Sequence, residues 1–172
     1  MFNKYLTLVF VAGFVIIVDQ LTKMYVHTHF HLGESLPVLT DYFSFTYVRN
    51  TGAAFGIFRE SNELFRTIFF LSVPPIAVTI IIFIMRSLPS SEKMQILALS
   101  WIFGGALGNY IDRVRFRYVI DFLEIHYKDV YSWPAFNIAD SAIVGGVGIL
   151  LVIMVKQAIE EAKQKKLAST KG

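Results

Sequence analysis

The chain has 172 residues, of which 55% are hydrophobic and 17% are charged, and its mean hydropathy is +0.54. Because soluble domains of this length carry less apolar and more charged sequence, the composition excludes an ordinary soluble domain. The absence of cysteine excludes disulfides, thiolate catalysis and sulfur-ligated metals. A formal net charge of +3 suits anionic lipid head groups better than nucleic acid, so we expect no nucleic-acid partner.

Four apolar blocks are each long enough to cross a hydrocarbon core of about 30 Å, which takes roughly 20 helical residues. They lie at 6–26, 67–85, 94–111 and 136–155. The first block is interpreted as a retained helix, because polar residues follow its apolar run directly and no small-residue cleavage site does. Residues 156–172 form a polar, lysine-rich helix end that is expected to fray. The sequence therefore predicts a single all-α membrane domain over residues 1–172.

An even number of spans places both termini on one side of the membrane. The terminal tails and the short loop between the second and third spans hold Lys4, Arg86, Lys93, Lys156, Lys163, Lys165, Lys166 and Lys171. The two other loops are longer, and they hold Arg49, Arg59, Arg66, Arg113, Arg115, Arg117 and Lys128. Because the first set lies in far shorter segments, the positive-inside rule predicts cytoplasmic termini.

The two loops on the outer side have a periodicity of their own. Phe43, Phe45 and Tyr47 alternate with other residues as in a strand, and a turn signal follows at 50–52. The second loop alternates in the same way at Val114, Phe116, Tyr118 and Ile120. We therefore expect a small β-sheet on the outer membrane face. Residues 58–70 mix charged and aromatic side chains, which predicts a short interfacial helix before the second span.

Ionisable groups inside a membrane are costly and usually functional. Asp19 and Lys23 share one helix face at a spacing of four, and we interpret them as a structural ion pair or interfacial anchor in preference to a catalytic pair. Asp140 lies about one turn into the fourth span, and Asn137 shares its face. Asp121 stands in an apolar run of the second outer loop, where solubility explains a carboxylate poorly.

Asp121 and Asp140 fall at the same membrane depth on the outer side. Taken singly, Asp140 could be a hydrogen-bonded packing residue and Asp121 an ordinary loop carboxylate, but the shared depth favours a functional pair. Asn109 lies near the outer end of the third span, close to Asp112. Small residues at a spacing of four on the third and fourth spans let helix backbones approach closely, which would bring Asn109 toward Asp140.

Two neighbouring carboxyls supply what the hydrolysis of a peptide bond by water requires. One takes a proton from the water, while the other stabilises the carbonyl oxygen and later serves the leaving amine. Because the charge on one carboxyl raises the pKa of the other, the pair holds one proton near neutral pH. The pair thereby offers a base and an acid together.

Other catalytic arrangements fit the sequence less well. There is no H-E-x-x-H motif of a zinc protease and no G-x-S-x-G elbow of a serine hydrolase. His27, His29 and His31 are interpreted as surface histidines, and no metal or cofactor is expected. A serine–lysine dyad that uses Lys23 stays open. A small transporter or channel, and a non-catalytic lipid-binding subunit, also stay open, although the lack of an internal repeat disfavours a transporter.

Five blocks occur in order along the chain: DQLTK from Asp19, NTGAAFG from Asn50, GGALGNYIDR from Gly104, VIDF from Val119 and FNIADS from Phe136. Together they resemble the lipoprotein signal peptidase, or signal peptidase II, family over nearly the whole chain. The resemblance implies four transmembrane helices with an extracytoplasmic β-cradle and a short interfacial helix. It also implies an aspartic endopeptidase of the bacterial inner membrane, with its active site toward the outer face.

The resemblance further implies a substrate and roles for single residues. The substrate is a prolipoprotein, cut on the amino side of a cysteine that carries diacylglycerol, and globomycin-like cyclic peptides are expected inhibitors. The catalytic aspartates fall on Asp121 and Asp140. The residues expected to hold the substrate or support the site are Asn50, Asn109, Arg113, Asn137, Asp19 and Lys23. Membrane phospholipids are expected partners, and their head groups are the interpreted contacts of Arg115 and Arg117.

Overall fold

The computed structural model describes residues 3–52, 62–128 and 130–170. In chain order its elements are α1 (Lys4–His29), β1 (Ser35–Leu39), β2 (Phe43–Asn50), α2 (Glu63–Ser87), α3 (Lys93–Phe116), β3 (Val119–Tyr127), β4 (Tyr131–Ser132) and α4 (Ile138–Thr170). The strands form a small antiparallel sheet in the order β1-β2-β3-β4.

The four helices α1 to α4 are all apolar and long enough to cross a membrane. Together with the small sheet they confirm the predicted fold class, and they make the chain a mostly helical, multi-pass membrane protein. α2 continues through Pro74 and Pro75, which membrane helices tolerate when neighbouring groups satisfy the freed carbonyls. α4 stays helical beyond the predicted span, to Thr170, and its side chains from 156 to 169 are exposed.

α2 begins at Glu63, earlier than the predicted start at Thr67. The side-chain oxygen of Asn62 accepts the N–H of Leu64 at 2.8 Å, which satisfies a donor that a helix start leaves unpaired. The interfacial helix predicted over 58–70 is therefore continuous with α2 from Glu63 onward. Its first residues, 58–61, lie outside the described part of the chain.

The strand predicted from the alternation at 114–120 is wrong in its first half. α3 continues to Phe116, and Arg117 ends it in the left-handed region with a φ of 67°. Val114 is exposed on α3, and a membrane helix presents apolar side chains to lipid without needing an amphipathic period. The alternation therefore carried no strand signal there, and the strand begins only at Val119.

The predicted strand at 43–48 is confirmed as the main part of β2, which pairs with β1 on one side and β3 on the other. In the pairing with β3, Val48 lies opposite Asp121 and Asn50 lies opposite Val119. The register shifts between Phe45 and Val48, as a bulge would produce. The pairing brings Asn50, at the end of β2, to the same end of the sheet as Asp121.

Two kinds of packing hold the sheet and helices together. The sheet rests on the end of α1 through a buried apolar cluster of Val26, Tyr47, Ile120 and Phe122. α3 packs against α1 and α4 through glycines. A Cβ added at Gly104 would lie 2.9 Å from the Cα of Ala12 on α1, and one added at Gly105 would collide with the carbonyl oxygen of Ala139 on α4. The small residues thus let α3 and α4 approach closely, as predicted, and they bring α1 close to α3 as well.

Candidate active site

Asp140 is placed by the first turn of α4. Asn137 precedes the helix, and its Oδ1 accepts the N–H of Asp140 at 2.8 Å. In return, Oδ2 of Asp140 accepts the N–H of Asn137 at 3.3 Å. This reciprocal pair is a capping box, which starts the helix and fixes both side chains. The N-terminal end of a helix carries a partial positive charge, which stabilises a carboxylate in this position.

Asp121 is placed by β3 and is buried, with a relative exposure of 1%. Asn50 donates from Nδ2 to Oδ2 of Asp121 at 3.0 Å, and Asn137 donates from Nδ2 to Oδ1 at 2.7 Å. Asn50 is itself held, because its Oδ1 accepts the N–H of Gly52 at 3.0 Å. Two amide donors from different elements therefore fix the carboxyl of Asp121.

Asn109 on α3 completes the connection between the two aspartates. Its Nδ2 donates to Oδ1 of Asp140 at 2.7 Å, and its Oδ1 accepts Nδ2 of Asn137 at 3.1 Å. The expected approach of α3 to α4 does bring Asn109 to Asp140. As a result, the side chain of Asn137 contacts Asn109, Asp121 and the backbone of Asp140 at once.

Asp121 is the carboxyl of the site whose pKa is shifted. Burial first, and the charge of Asp140 second, raise the pKa of Asp121 from its ordinary 3.8 to about 7. The hydrogen bonds from Asn50 and Asn137 act in the lowering direction and are outweighed. Asp121 can therefore hold a proton near neutral pH and be available as an acid. Asp140 is connected to it through the side chains of Asn137 and Asn109.

A groove of about 150 Å³ opens between the start of α2 and the end of α3, and its lining includes Phe70 and Arg113. The guanidinium of Arg113 lies 4.8 Å from the centre of the Phe70 ring, and its Nη2 donates to the carbonyl of Gly52 at 3.3 Å. It interacts electrostatically with Asp140 and Asp121. Arg113 therefore connects the groove to the carboxyl pair.

Comparison with known proteins identifies the family to which this geometry belongs. A sequence profile described as signal peptidase (SPase) II matches residues 11–156. The chain belongs to the signal peptidase II family. A lipoprotein signal peptidase of Syntrophus aciditrophicus (strain SB) is 48% identical over 151 residues, which cover 88% of this chain and 93% of that relative. A lipoprotein signal peptidase of Clostridium tetani (strain Massachusetts / E88) is 39% identical over 142 residues, which cover 83% of this chain and 88% of that relative.

Solved structures agree with the signal peptidase II assignment. Two of them, each described as a bacterial membrane enzyme, match with TM-scores of 0.80 and 0.76 at 33% and 34% sequence identity. The matches cover 88% and 87% of this chain and 89% and 93% of those chains. The chain is therefore a membrane-embedded signal peptidase of an aspartic peptidase family, and the transporter and the non-catalytic subunit are no longer alternatives.

The predicted site residues lie in two layers, one around the two aspartates and one beneath them at α1. The first layer contains Asn50, Asn109, Arg113, Asp121, Asn137 and Asp140. The second layer contains Asp19 and Lys23, which are buried on α1, and the expected ion pair forms with Nζ of Lys23 2.8 Å from Oδ2 of Asp19. Asn109 joins the layers, because its Oδ1 also accepts Nζ of Lys23 at 2.9 Å.

Sequence reasoning missed two members of the second layer, Asp112 and Gln20. Asp112 has a relative exposure of 1% and lies 3.0 Å from Nζ of Lys23, while Gln20 donates to its Oδ1 at 2.9 Å. Beside Arg113 at a helix end, Asp112 looks like part of a solvated pair. The signal that could have found it is spacing, because it lies three residues after Asn109 and therefore on the same helix face.

His27 is not a surface histidine as expected. It is half-buried where α1 meets the sheet, and its Nδ1 lies 2.6 Å from the hydroxyl of Tyr47. The same hydroxyl accepts Nε of Arg49 at 3.0 Å. His29 and His31 are exposed. The sequence alone did not distinguish His27 from the two exposed histidines. The burial of His27 comes from the packing of β2 on the end of α1, which is a tertiary contact.

Proposed function

We propose that Asp121 and Asp140 form the catalytic dyad of this protease, and that it cleaves prolipoproteins on the amino side of a diacylglyceryl-modified cysteine. The observation that carries the proposal is the amide of Asn137, which binds both aspartates. Its Nδ2 lies 2.7 Å from Oδ1 of Asp121, and its Oδ1 lies 2.8 Å from the N–H of Asp140. The substrate class follows from the relatives, which are lipoprotein signal peptidases.

The proposed reaction starts from the singly protonated pair. Asp140 carries the negative charge, which the helix start and the Asn109 amide stabilise. Asp121 carries the proton, because its pKa is raised to about 7. Asp140 takes a proton from water as the water oxygen bonds to the scissile carbonyl carbon. Asp121 gives its proton to the carbonyl oxygen in the same step, which yields a neutral tetrahedral intermediate.

Collapse of that intermediate completes the proposed cycle. The C–N bond breaks, and the proton held by Asp140 passes to the nitrogen of the lipid-modified cysteine. One hydroxyl of the former carbonyl carbon returns its proton to Asp121 as the carboxyl group forms. The pair ends with one proton and one negative charge, as it began, and a single water has been consumed.

Arg113 and the groove between α2 and α3 are proposed to hold the substrate beside the dyad. The planar fork of the guanidinium suits carbonyl oxygens, and its 3.3 Å contact with the carbonyl of Gly52 supports this role. Phe70 lines the same groove and offers apolar surface for the lipid-bearing segment. Asn50, Asn109 and Asn137 order the dyad, and a globomycin-like cyclic peptide would compete for the same positions.

The proposed setting is the bacterial inner membrane, with one peptidase domain over residues 1–172, cytoplasmic termini and the site at the outer face. The sheet and both aspartates lie at the ends of α1 and α3 where these helices finish. The opposite ends carry the lysines and arginines of the short segments, in agreement with the positive-inside rule. Arg115 and Arg117 are exposed at the site end of α3, and we assign phospholipid head groups to them.

The substrate proposal is tested with purified protein in detergent and a prolipoprotein prepared with and without the diacylglyceryl group. Product masses identify the bond that is cut. We expect cleavage before the modified cysteine. We also expect the unmodified substrate to react about 100-fold more slowly, because binding energy from a remote group contributes to reaching the transition state. Cleavage at another bond, or equal rates for the two substrates, would contradict the proposed substrate.

A further inference from the structure

The ammonium group of Lys23, in the layer beneath the aspartates, has a partner for each of its N–H donors. Its Nζ lies 2.8 Å from Oδ2 of Asp19, 3.0 Å from Oδ2 of Asp112 and 2.9 Å from Oδ1 of Asn109. A protonated lysine has three N–H donors, so each of them has one partner. The relative exposures of Lys23, Asp19 and Asp112 are 1%, 0% and 1%. The cluster therefore joins α1 to α3 by contacts that water does not reach.

Each carboxylate of the cluster also holds the backbone just before one of the two dyad aspartates. Oδ1 of Asp19 accepts the N–H of Ala139 at 2.9 Å, and Ala139 precedes Asp140. Oδ2 of Asp112 accepts the N–H of Ile120 at 3.1 Å, and Ile120 precedes Asp121. Lys23 links these two carboxylates to each other, so the backbones that carry the dyad are connected through one buried cation.

We propose that Asp112 is a positioning residue, which together with Lys23 and Asp19 sets the separation of Asp121 and Asp140. The inference rests on the proposed role of the two aspartates as the catalytic dyad. Without the contact between Asp112 and Ile120, β3 can shift relative to α4, and the carboxyl of Asp121 shifts with it.

Asp112 must accept hydrogen bonds on both of its carboxylate oxygens. Oδ1 accepts Nε2 of Gln20 at 2.9 Å, and Oδ2 accepts both Nζ of Lys23 and the N–H of Ile120. An asparagine has the same size but offers one acceptor and one donor. In either orientation its NH₂ group would face a donor. Asp112→Asn therefore breaks the arrangement with almost no change in volume.

The cluster also fixes which way the Asn109 amide points. Oδ1 of Asn109 accepts Nζ of Lys23 and Nδ2 of Asn137, at 2.9 Å and 3.1 Å. Because both of these groups are donors, only the oxygen of the amide can face them. The NH₂ group is therefore directed at Oδ1 of Asp140, 2.7 Å away. Lys23 thus acts on Asp140 through Asn109 and on Asp121 through Asp112.

The decisive experiment compares kcat and KM of Asp112→Asn with those of the wild type, on diacylglyceryl-modified prolipoprotein in detergent. We expect kcat to fall about 100-fold, the size of effect that a displacement of about 1 Å has on a reacting group. We expect KM to stay within about threefold, because the groove and Arg113 are not altered. The matched control is Asp41→Asn, at an exposed position with a φ of 75° that asparagine tolerates. It should retain the wild-type kcat.

Two results would overturn the positioning role. One is a folded Asp112→Asn protein whose kcat stays within about twofold of the wild type. The other is a KM that rises as much as kcat falls, which indicates general loss of the site. If Asp112→Asn does not fold, Gln20→Met gives the deciding result. It removes the neutral donor that Asp112 shares with Asp19 and the carbonyl of Gly108, and it leaves both ion pairs of Lys23 in place. A fall in its kcat of about fivefold or more at constant KM supports the role, and an unchanged kcat refutes it.

The dyad itself is checked in the same assay with Asp140→Asn. An inactive Asp140→Asn beside a fully active Asp112→Asn would refute the positioning role and leave the proposed function intact. An active Asp140→Asn would instead refute the proposed dyad, whatever Asp112→Asn does.

Discussion

The side-chain amide of Asn137 donates to a carboxylate oxygen of Asp121 at 2.7 Å, across the contact between the start of α4 and strand β3. The same NH₂ group also lies 3.3 Å from the carbonyl of Ile120, the preceding residue of that strand. Because Asn137 also caps α4, its planar amide fixes the helix that carries Asp140 against the strand that carries Asp121. A displacement of one element therefore moves one carboxyl relative to the other.

Replacing Asn137 with alanine should lower kcat strongly and should also lower the thermal unfolding midpoint. The variant loses the donor to Asp121 and the cap on α4, and the loss of a cap costs about 1 kcal/mol. The two carboxyls lose their common amide, so we expect kcat to fall about 100-fold. The measurement is kcat on diacylglyceryl-modified prolipoprotein, together with the thermal unfolding midpoint in detergent.

The control for that change is Asn3→Ala. Asn3 caps α1 at the far end of the helix, where its Oδ1 accepts the N–H of Tyr5 at 3.0 Å and that of Leu6 at 3.3 Å. It should lower the unfolding midpoint less than Asn137→Ala, which also leaves buried partners unsatisfied, and it should leave kcat unchanged. If the two variants lose the same activity, the cap alone would explain the result for Asn137.

The rate should depend on pH through Asp121. Its pKa is raised to about 7, so it is protonated below that pH and loses its proton above it. Because the proposed mechanism needs the proton on Asp121, kcat/KM, which reports the ionisations of the free enzyme, should fall as pH rises through about 7. Asn50→Ala removes a hydrogen bond that lowers this pKa, so the fall in kcat/KM should move to higher pH. A shift to lower pH in Asn50→Ala, or a kcat/KM that keeps rising well above pH 7, would contradict the assignment.

Gly108→Ala should damage the layer beneath the dyad. A Cβ at Gly108 would lie 2.7 Å from Oδ2 of Asp19, and the backbone of α3 cannot move away because it packs on both neighbours. We expect a loss of about 1–3 kcal/mol in the free energy of unfolding, typical of overpacking, and a lower kcat. Gly148→Ala is the matched control, since nothing lies within 4 Å of a Cβ there. It should leave kcat at the wild-type level and should not lower the free energy of unfolding, because alanine favours a helix interior over glycine by about 0.5–1 kcal/mol.

Tyr47→Phe should destabilise the contact between α1 and the sheet without affecting chemistry directly. The hydroxyl of Tyr47 bonds both His27 and Arg49, and the residue has a relative exposure of 2%. Leaving these partners unsatisfied should cost about 1–3 kcal/mol, measured as a lower unfolding midpoint. The exposed Tyr42 provides the comparison, and Tyr42→Phe should be neutral. Equal midpoints for the two variants would show that the hydroxyl contributes nothing.

Much of the fold was predictable because its signals are local. Four apolar blocks of sufficient length predict four membrane helices, and the alternation at 43–48 predicts β2. The same alternation failed at Val114 and Phe116, because a lipid-facing helix does not need a helical period of polar residues. The start of α2 was predicted four residues too late, because the prediction relied on the apolar run. Its cap at Asn62 is a single residue among charged neighbours rather than the end of an apolar run.

The site was predictable only in part, because its second layer depends on tertiary contacts. Asp140 and Asn137 are close in sequence and form a local capping box, so their pairing could be anticipated. The spacing of Asp112 from Asn109 indicates a shared helix face. It does not indicate the partners of Asp112, because these come from α1 and β3.

In the proposed mechanism, Asp121 and Asp140 together perform the hydrolysis. The most direct test of this mechanism is single-turnover cleavage of diacylglyceryl-modified prolipoprotein by Asp121→Asn and Asp140→Asn, with Asp41→Asn as the matched control. The dyad mechanism predicts that the two site variants each lose at least about 1,000-fold in rate while they still bind the substrate, because each lacks one of the two proton-transfer groups. A cleavage rate in either site variant that equals that of the wild type and the control would contradict it.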